Sequence, residues 1–157
     1  MKKNLLILAL VLVGITGSSF AASSLTASSR ATGNPDINRF VLVSFNRQFA
    51  SAREARWETN KNFFKVSFQV DNQILSAYYS LDGDLLAISR YISPDQLPVQ
   101  LLISLKKDYS GYWISDLFEI HINDDSSYYV TLENESQKKV LKSIDSSNWS
   151  TFKTENK

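Results

Sequence analysis

Between Phe64 and Ile92 apolar and polar residues alternate through three consecutive segments, each broken by a pair of turn residues. Phe64-Lys-Val66-Ser-Phe68-Gln-Val70 stops at Asp71-Asn72, and Ile74-Leu-Ser-Ala-Tyr78-Tyr-Ser-Leu81 stops at Asp82-Gly83. Asp84-Leu-Leu86-Ala-Ile88-Ser-Arg-Tyr-Ile92 follows. A period of two sends successive side chains to opposite sides of an extended chain, which no helix can do. Bounded by Asp-Asn and Asp-Gly pairs, it predicts antiparallel hairpins.

The segments on either side carry the period of a helix. Ile37, Phe40, Val41, Ser44, Phe45, Gln48 and Phe49 fall on one helical face, with Asp36 placed to cap it. Ser51 to Trp57 then reads as a first strand or an extended lead-in. Ser93-Pro94 opens a second helix carrying Leu97, Leu101, Leu102, Leu105 and Tyr109, which Gly111 ends; Pro98 delays its regular part. Alternation resumes with Ile114, Phe118, Ile120 and Ile122, then Tyr128, Val130 and Leu132, then Val140 to Ile144 and Trp149 to Phe152. The polar tail from Lys153 to Lys157 is expected to fray. The two runs look alike, so the expected fold class is α+β: a tandem repeat of a helix plus an antiparallel four-stranded sheet, with the helices packed on one sheet face.

The chain opens with Met1-Lys2-Lys3, an apolar run from Leu5 to Ile15, and the small-x-small triplet Ser19-Phe20-Ala21. That is the pattern of a secretory signal peptide, and the run is shorter than the ~20 residues a spanning helix needs. The expected divisions are a signal peptide over 1–21, a flexible leader over 22–34, and repeats over 35–92 and 93–153. Without its signal the chain has 15 basic and 16 acidic residues, no electrostatic footprint for nucleic acid. An exported chain without cysteine must be held by its core.

Catalytic equipment is sparse. His121 is the single histidine, and no cysteine joins it, so neither a zinc set nor a Cys-His pair can be assembled. The alternation of β-residues predicts that His121 points away from the helices. Ser104-Leu-Lys-Lys107 spells S-x-x-K, but no Lys-Thr-Gly accompanies it. Asp82-Gly-Asp84 and Asn123-Asp-Asp125 read as hairpin turns, since a calcium loop needs more oxygen ligands and a closing glutamate. The sequence therefore predicts no enzyme, no cofactor and no metal.

If the apolar sets above face the helices, the other sheet face holds Phe63, Ile74, Tyr78, Leu85 and Tyr91, then Trp113, Leu117, His121, Tyr129 and Leu141. A solvated face would be mostly polar. Aromatic residues among small polar ones are the composition of a protein-binding surface. Phe63, Tyr78, Tyr91, Trp113 and Tyr129 are the expected partner-binding residues. Burial of this face within the chain or in a homodimer is the competing structural reading. The expected function is an exported, non-enzymatic binding protein, inhibitor-like or sensor-like, docking on another envelope or secreted protein. The alternatives are a small hydrophobic-ligand binder with a cavity between helices and sheet, and a structural envelope component. The expected localisation is periplasmic or secreted.

Phe45-Asn-Arg-Gln-Phe49, Ala52-Arg-Glu-Ala55-Arg-Trp57, Phe64-Lys-Val66-Ser-Phe68, Ala77-Tyr-Tyr-Ser-Leu81-Asp82-Gly83-Asp84 and the helix from Leu97-Pro98 to Tyr109 occur in the order of a known group. The stretch from Ile37 to Phe152 resembles the small exported bacterial proteins described as PepSY-like or beta-lactamase-inhibitor-like. The resemblance implies a helix-and-antiparallel-sheet repeat whose exposed sheet face docks on another protein. Asp145-Ser-Ser, without a glycine, departs from the pattern in the last hairpin turn.

Overall fold

The computed structural model describes residues 36–157; the expected signal peptide and leader lie outside the described residues. Helix α1 spans Arg39–Gln48 and leads into β1 (Arg53–Thr59), β2 (Phe64–Val70), β3 (Gln73–Tyr79) and β4 (Leu85–Tyr91). A 3-10 turn, Pro94–Gln96, precedes α2 (Val99–Asp108), after which β5 (Trp113–Ile122), β6 (Asp125–Glu133), β7 (Gln137–Ser143) and β8 (Ser150–Asn156) complete the chain. All eight strands form one antiparallel sheet in sequence order.

The continuity of that sheet corrects the expected fold class. β4 and β5 are hydrogen-bonded neighbours, with Ile88 opposite His121 and Tyr91 opposite Phe118. Ile92 N–H also donates to Leu117 O at 3.1 Å. The architecture is a single eight-stranded meander with two helices among the described residues, not a tandem repeat of separate four-stranded units. The reason is physical: two four-stranded sheets would leave β4 and β5 as bare edges with unpaired amides, and pairing them removes both edges.

Local chemistry sets the element ends. Asn38, not Asp36, caps α1: its Oδ1 accepts from Phe40 N–H at 2.9 Å, and its Nδ2 donates to Leu81 O at 3.0 Å. Gln96 Oε1 accepts from both Ser93 N–H (2.9 Å) and Ser93 Oγ (3.2 Å), which closes the 3-10 turn and leaves Pro98 to start α2. Asp71 and Asn72 both adopt positive φ, 47° and 64°, as a two-residue hairpin turn with right-handed strands requires. The tail does not fray: Lys153 to Asn156 are part of β8 and pair with β7.

Both helices cover the same sheet face. Val41 and Phe45 of α1 are buried against Phe64, Val66, Phe68, Ala77 and Tyr79. Leu101 and Leu105 of α2 are buried against Leu117, Val130, Leu132 and Leu141. The ladder Val66–Ala77–Ile88–His121 connects the two clusters along one side of the sheet. Each fully buried aliphatic or aromatic side chain contributes about 1.5–3 kcal/mol as an upper figure. Among the described residues no helix is long and apolar enough to cross a membrane.

Two bulges decide which residues face the helices, and they overturn part of the expected pattern. A shift between Tyr78 and Tyr79 sets Tyr79 opposite Leu85, so Leu85 joins the α1 cluster rather than the other face. A shift between Ile114 and Asp116 inserts Ser115 and reverses the phase of the rest of β5. Leu117 consequently faces α2, whereas Phe118 and Ile120 point away from it. Leu141, opposite Val130, is likewise core. His121 lies on the helix side, not away from it.

Candidate functional site

The helix-free face carries all five residues singled out for binding, but not in equal exposure. Tyr91 and Trp113 are 61% and 52% exposed, whereas Phe63, Tyr78 and Tyr129 are buried at 3%, 1% and 5%. The expected exposure of those three is therefore corrected. Tyr129 is closed over by its own neighbours: the Phe118 ring stacks on it at 5.2 Å and 8°, Phe152 meets it edge-on at 5.9 Å, and Lys142 Nζ lies 5.3 Å above it. Tyr78 lies between Lys65 and Ala87 across its two ladders, with the Phe63 ring 6.0 Å away. Its hydroxyl is 3.5 Å from Ser89 Oγ, and burial raises its pKa.

These contacts join into a ladder that crosses the sheet. Tyr91 touches Phe118 edge-on at 6.3 Å, Phe118 stacks on Tyr129, and Tyr129 meets Phe152. The ladder spans β4, β5, β6 and β8 and passes over the β4–β5 junction. Phe118 and Phe152 were not among the expected site residues; the Ser115 bulge hides the orientation of the first from any strict alternation. Trp113 lies further along β5 on the same face, opposite Glu133, with Lys157 Nζ 4.9 Å over its ring and bonded to Glu133 at 2.8 Å. Partial burial, and then the Asp116 carboxylate, raises the Tyr91 hydroxyl pKa. Burial also raises that of Asp116.

A polar chain occupies the opposite side of the same junction. Glu119, with a side chain 7% exposed, bonds Arg90 Nε through Oε2 at 2.9 Å and approaches His121 Nε2 through Oε1 at 3.3 Å. His121 Nδ1 is 2.9 Å from Ser126 Oγ, directly across the β5–β6 ladder. A hydroxyl, an imidazole and a carboxylate in sequence invite comparison with a hydrolytic triad. Acyl transfer also needs free donors aimed at an oxyanion. Here the flanking backbone belongs to the paired β5–β6 rungs from Glu119 to Tyr128. The chain is better read as the satisfied polar filling between the two helix-side cores.

Among the described residues the space between α1 and the sheet is closed by packed side chains. The α1 interface is filled by Phe45, Phe49, Trp57 and Phe68, with ring centroids 4.6–5.6 Å apart. A cleft of 420 Å³ does exist, lined by Ser51, Arg53, Gln69, Asp71 and Asn72. It is polar and lies at the β1–β2 edge. Among the described residues no group of three or more His, Cys, Asp or Glu side chains is arranged to hold a metal ion.

With this geometry in view, solved structures of similar shape define the fold. A BLIP-like protein from Bacteroides fragilis superposes with a TM-score of 0.66 at 15% identity, over 80% of this chain and 89% of that one. A DUF2874 family protein from Bacteroides uniformis gives 0.67 at 10% identity, over 76% and 88%. A protein of Bacteroides eggerthii thought to be periplasmic gives 0.67 at 9% identity, over 76% and 88%. No family model matches the chain, and no curated protein does. The protein thus has a BLIP-like fold. The likeness bears on the inhibitor-like half of the resemblance and not on the PepSY-like half.

Proposed function

We propose that this is an exported, non-enzymatic binding protein that docks on another envelope or secreted protein through the helix-free face of its sheet, in an inhibitor-like or sensor-like manner. The observation that carries the reading is the pair of large exposed aromatics, Tyr91 and Trp113, on a face whose other rings are already ordered. Tyr91 is held against Phe118, so docking would order few rotamers at that point. Phe63, Tyr78 and Tyr129 form the floor beneath the contact rather than its anchors. The mechanism is steric occlusion by a rigid sheet. Support for the location of the protein comes from the basic, apolar and small-residue start of its sequence and from the likeness to a protein thought to be periplasmic. Support for a binding role comes from the BLIP-like fold, which by itself assigns no target.

The test is a cross-linking capture from the native envelope fraction with the wild type and with Y91A/W113A. Truncating a true hot-spot aromatic costs ~2 kcal/mol or more of binding. Capture should fall at least tenfold in the double variant while its thermal midpoint stays near that of the wild type. Undiminished capture by a folded double variant would remove these residues from the binding surface.

A further inference from the structure

Charge is distributed unevenly between the two sides of the molecule. Arg53, Arg56 and Lys65 on β1–β2 and Lys138, Lys142 and Lys153 on β7–β8 share the helix-free face by register, and Lys157 reaches it over Trp113. Glu58, Asp116, Asp125, Glu133 and Glu155 are the carboxylates on the same side. Of the chain's 17 basic residues, Lys2, Lys3 and Arg30 lie outside the described residues, and the other 14 divide evenly, seven on this face and seven elsewhere. Of its 16 acidic residues five are on this face and eleven elsewhere. The face is thus net positive by two and the remainder net negative by four.

The cations are also placed as a rim. They stand on the two outer strand pairs, and the rings of Tyr91, Phe118 and Tyr129, with Trp113 further along β5, lie on the strands between. Several are committed to internal pairs, Lys65 to Glu58 at 2.9 Å and Lys157 to Glu133 at 2.8 Å. Among the described residues no carboxylate lies within 4.0 Å of Arg56 or Lys142. A dry centre within a charged rim is how docking surfaces divide affinity from steering.

We infer that the partner of this face is a protein surface whose own rim is rich in Asp and Glu, steered onto Arg56 and Lys142 from opposite sides of the aromatic centre. This inference rests on the docking reading above and adds the chemistry of the partner. A polyphosphate or anionic lipid surface fits less well, because the five interspersed carboxylates would meet a uniform sheet of negative charge. A folded protein can place its cations against them. A second copy of this chain is also disfavoured, since two identical net-positive faces would repel.

The test pans a phage-displayed library of random peptides on the purified full chain, on R56E/K142E and on Y91A/W113A, with circular dichroism confirming the fold of each. Peptides recovered on the wild type should carry an excess of Asp and Glu. Their affinity should fall about tenfold on R56E/K142E, with a weaker dependence on salt, and capture should be lost on Y91A/W113A. Peptides that need Tyr91 and Trp113 but show no acidic excess would overturn the charge inference and leave the docking face standing. Recovery of none, or of peptides indifferent to Y91A/W113A, would overturn both. Heparin or phosphatidylglycerol vesicles binding more tightly than the selected peptides, or a concentration-dependent dimer closed through this face, would overturn the acidic-protein partner.

Discussion

Arg90 on β4 and Glu119 on β5 meet across the middle of the sheet, Nε to Oε2 at 2.9 Å. The ladder that joins these strands is short, four residue pairs from Ile88–His121 to Tyr91–Phe118, against seven between β2 and β3. On one side of it the ion pair fills the gap between the α1 and α2 cores. On the other side Tyr91 and Phe118 carry the aromatic ladder over it. The junction therefore holds the sheet together and sets the shape of the proposed docking face.

Removing either partner should destabilise the fold, and unequally. R90A leaves a buried carboxylate without its full positive charge, with His121 and the Tyr128 hydroxyl as its remaining polar neighbours, at a cost of about 3 kcal/mol. E119A leaves a guanidinium that is already 31% exposed and can turn to water, so about 1–2 kcal/mol is expected. Urea unfolding at neutral pH checks the order; equal losses would mean that Glu119 is not the buried member that matters.

Gly83 and Gly111 should respond differently to alanine. Gly83 has φ +93°, and a Cβ there would stand 3.0 Å from the Phe40 carbonyl carbon and 3.1 Å from its oxygen. G83A combines backbone strain with a clash against the first turn of α1, and a loss of about 2 kcal/mol or more is expected. At Gly111 a Cβ meets nothing within 4 Å, so G111A should stay within about 0.5 kcal/mol of wild type.

Tyr79 should titrate late. Burial pushes its hydroxyl up to about 12, and that hydroxyl donates to Gln48 Oε1 at 2.8 Å. The neutral form is favoured in the fold, so the stability it contributes is complete below the ordinary tyrosine value of ~10 and is lost as pH rises toward 12. Ultraviolet titration of tyrosinate should show several late ionisations in the wild type, since burial also raises Tyr78, Tyr91 and Tyr128, and one fewer in Y79F. At neutral pH Y79F should lose about 1 kcal/mol, the worth of one hydrogen bond to a partner free to turn to solvent.

Acid should loosen the β7–β8 turn. Backbone N–H groups of Asn148 and Ser147 hold Asp145 down to about 2. A depressed carboxyl contributes above its unfolded value of ~3.9 and loses that contribution as pH falls toward 2. Amide exchange at Ser147 and Asn148 should quicken across that window in the wild type. In D145A it should be fast already at neutral pH, and protection that survives D145A would show that the turn is held by other contacts.

Much of this architecture was legible in the sequence, and the parts that were not share a cause. The helices, the hairpin turn at Asp71-Asn72 and the helix-facing set Phe64, Val66, Phe68, Val130 and Leu132 follow from period and turn chemistry. The joining of β4 to β5 was not visible, because cross-strand pairing between distant segments leaves no local periodic mark. The orientations of Leu85, Leu117 and Phe118 were misread because a bulge adds one residue and inverts every side chain after it. At the site, composition pointed to the helix-free face but could not tell Tyr91, which is exposed, from Tyr129, which Phe118, Phe152 and Lys142 cover. Sequence places the α1 cap at Asp36 and the fold places it two residues later at Asn38, since both side chains can accept from a free amide.

The most direct test of the docking face places a photoreactive phenylalanine analogue at one position at a time in the native envelope. Tyr91 and Trp113 report on the helix-free face, and Phe40 and Ile103, 69% and 53% exposed, report on the outer sides of the helices. The account predicts discrete protein adducts from positions 91 and 113 and none from 40 or 103. Adducts confined to positions 40 and 103, or equal at all four, would contradict it.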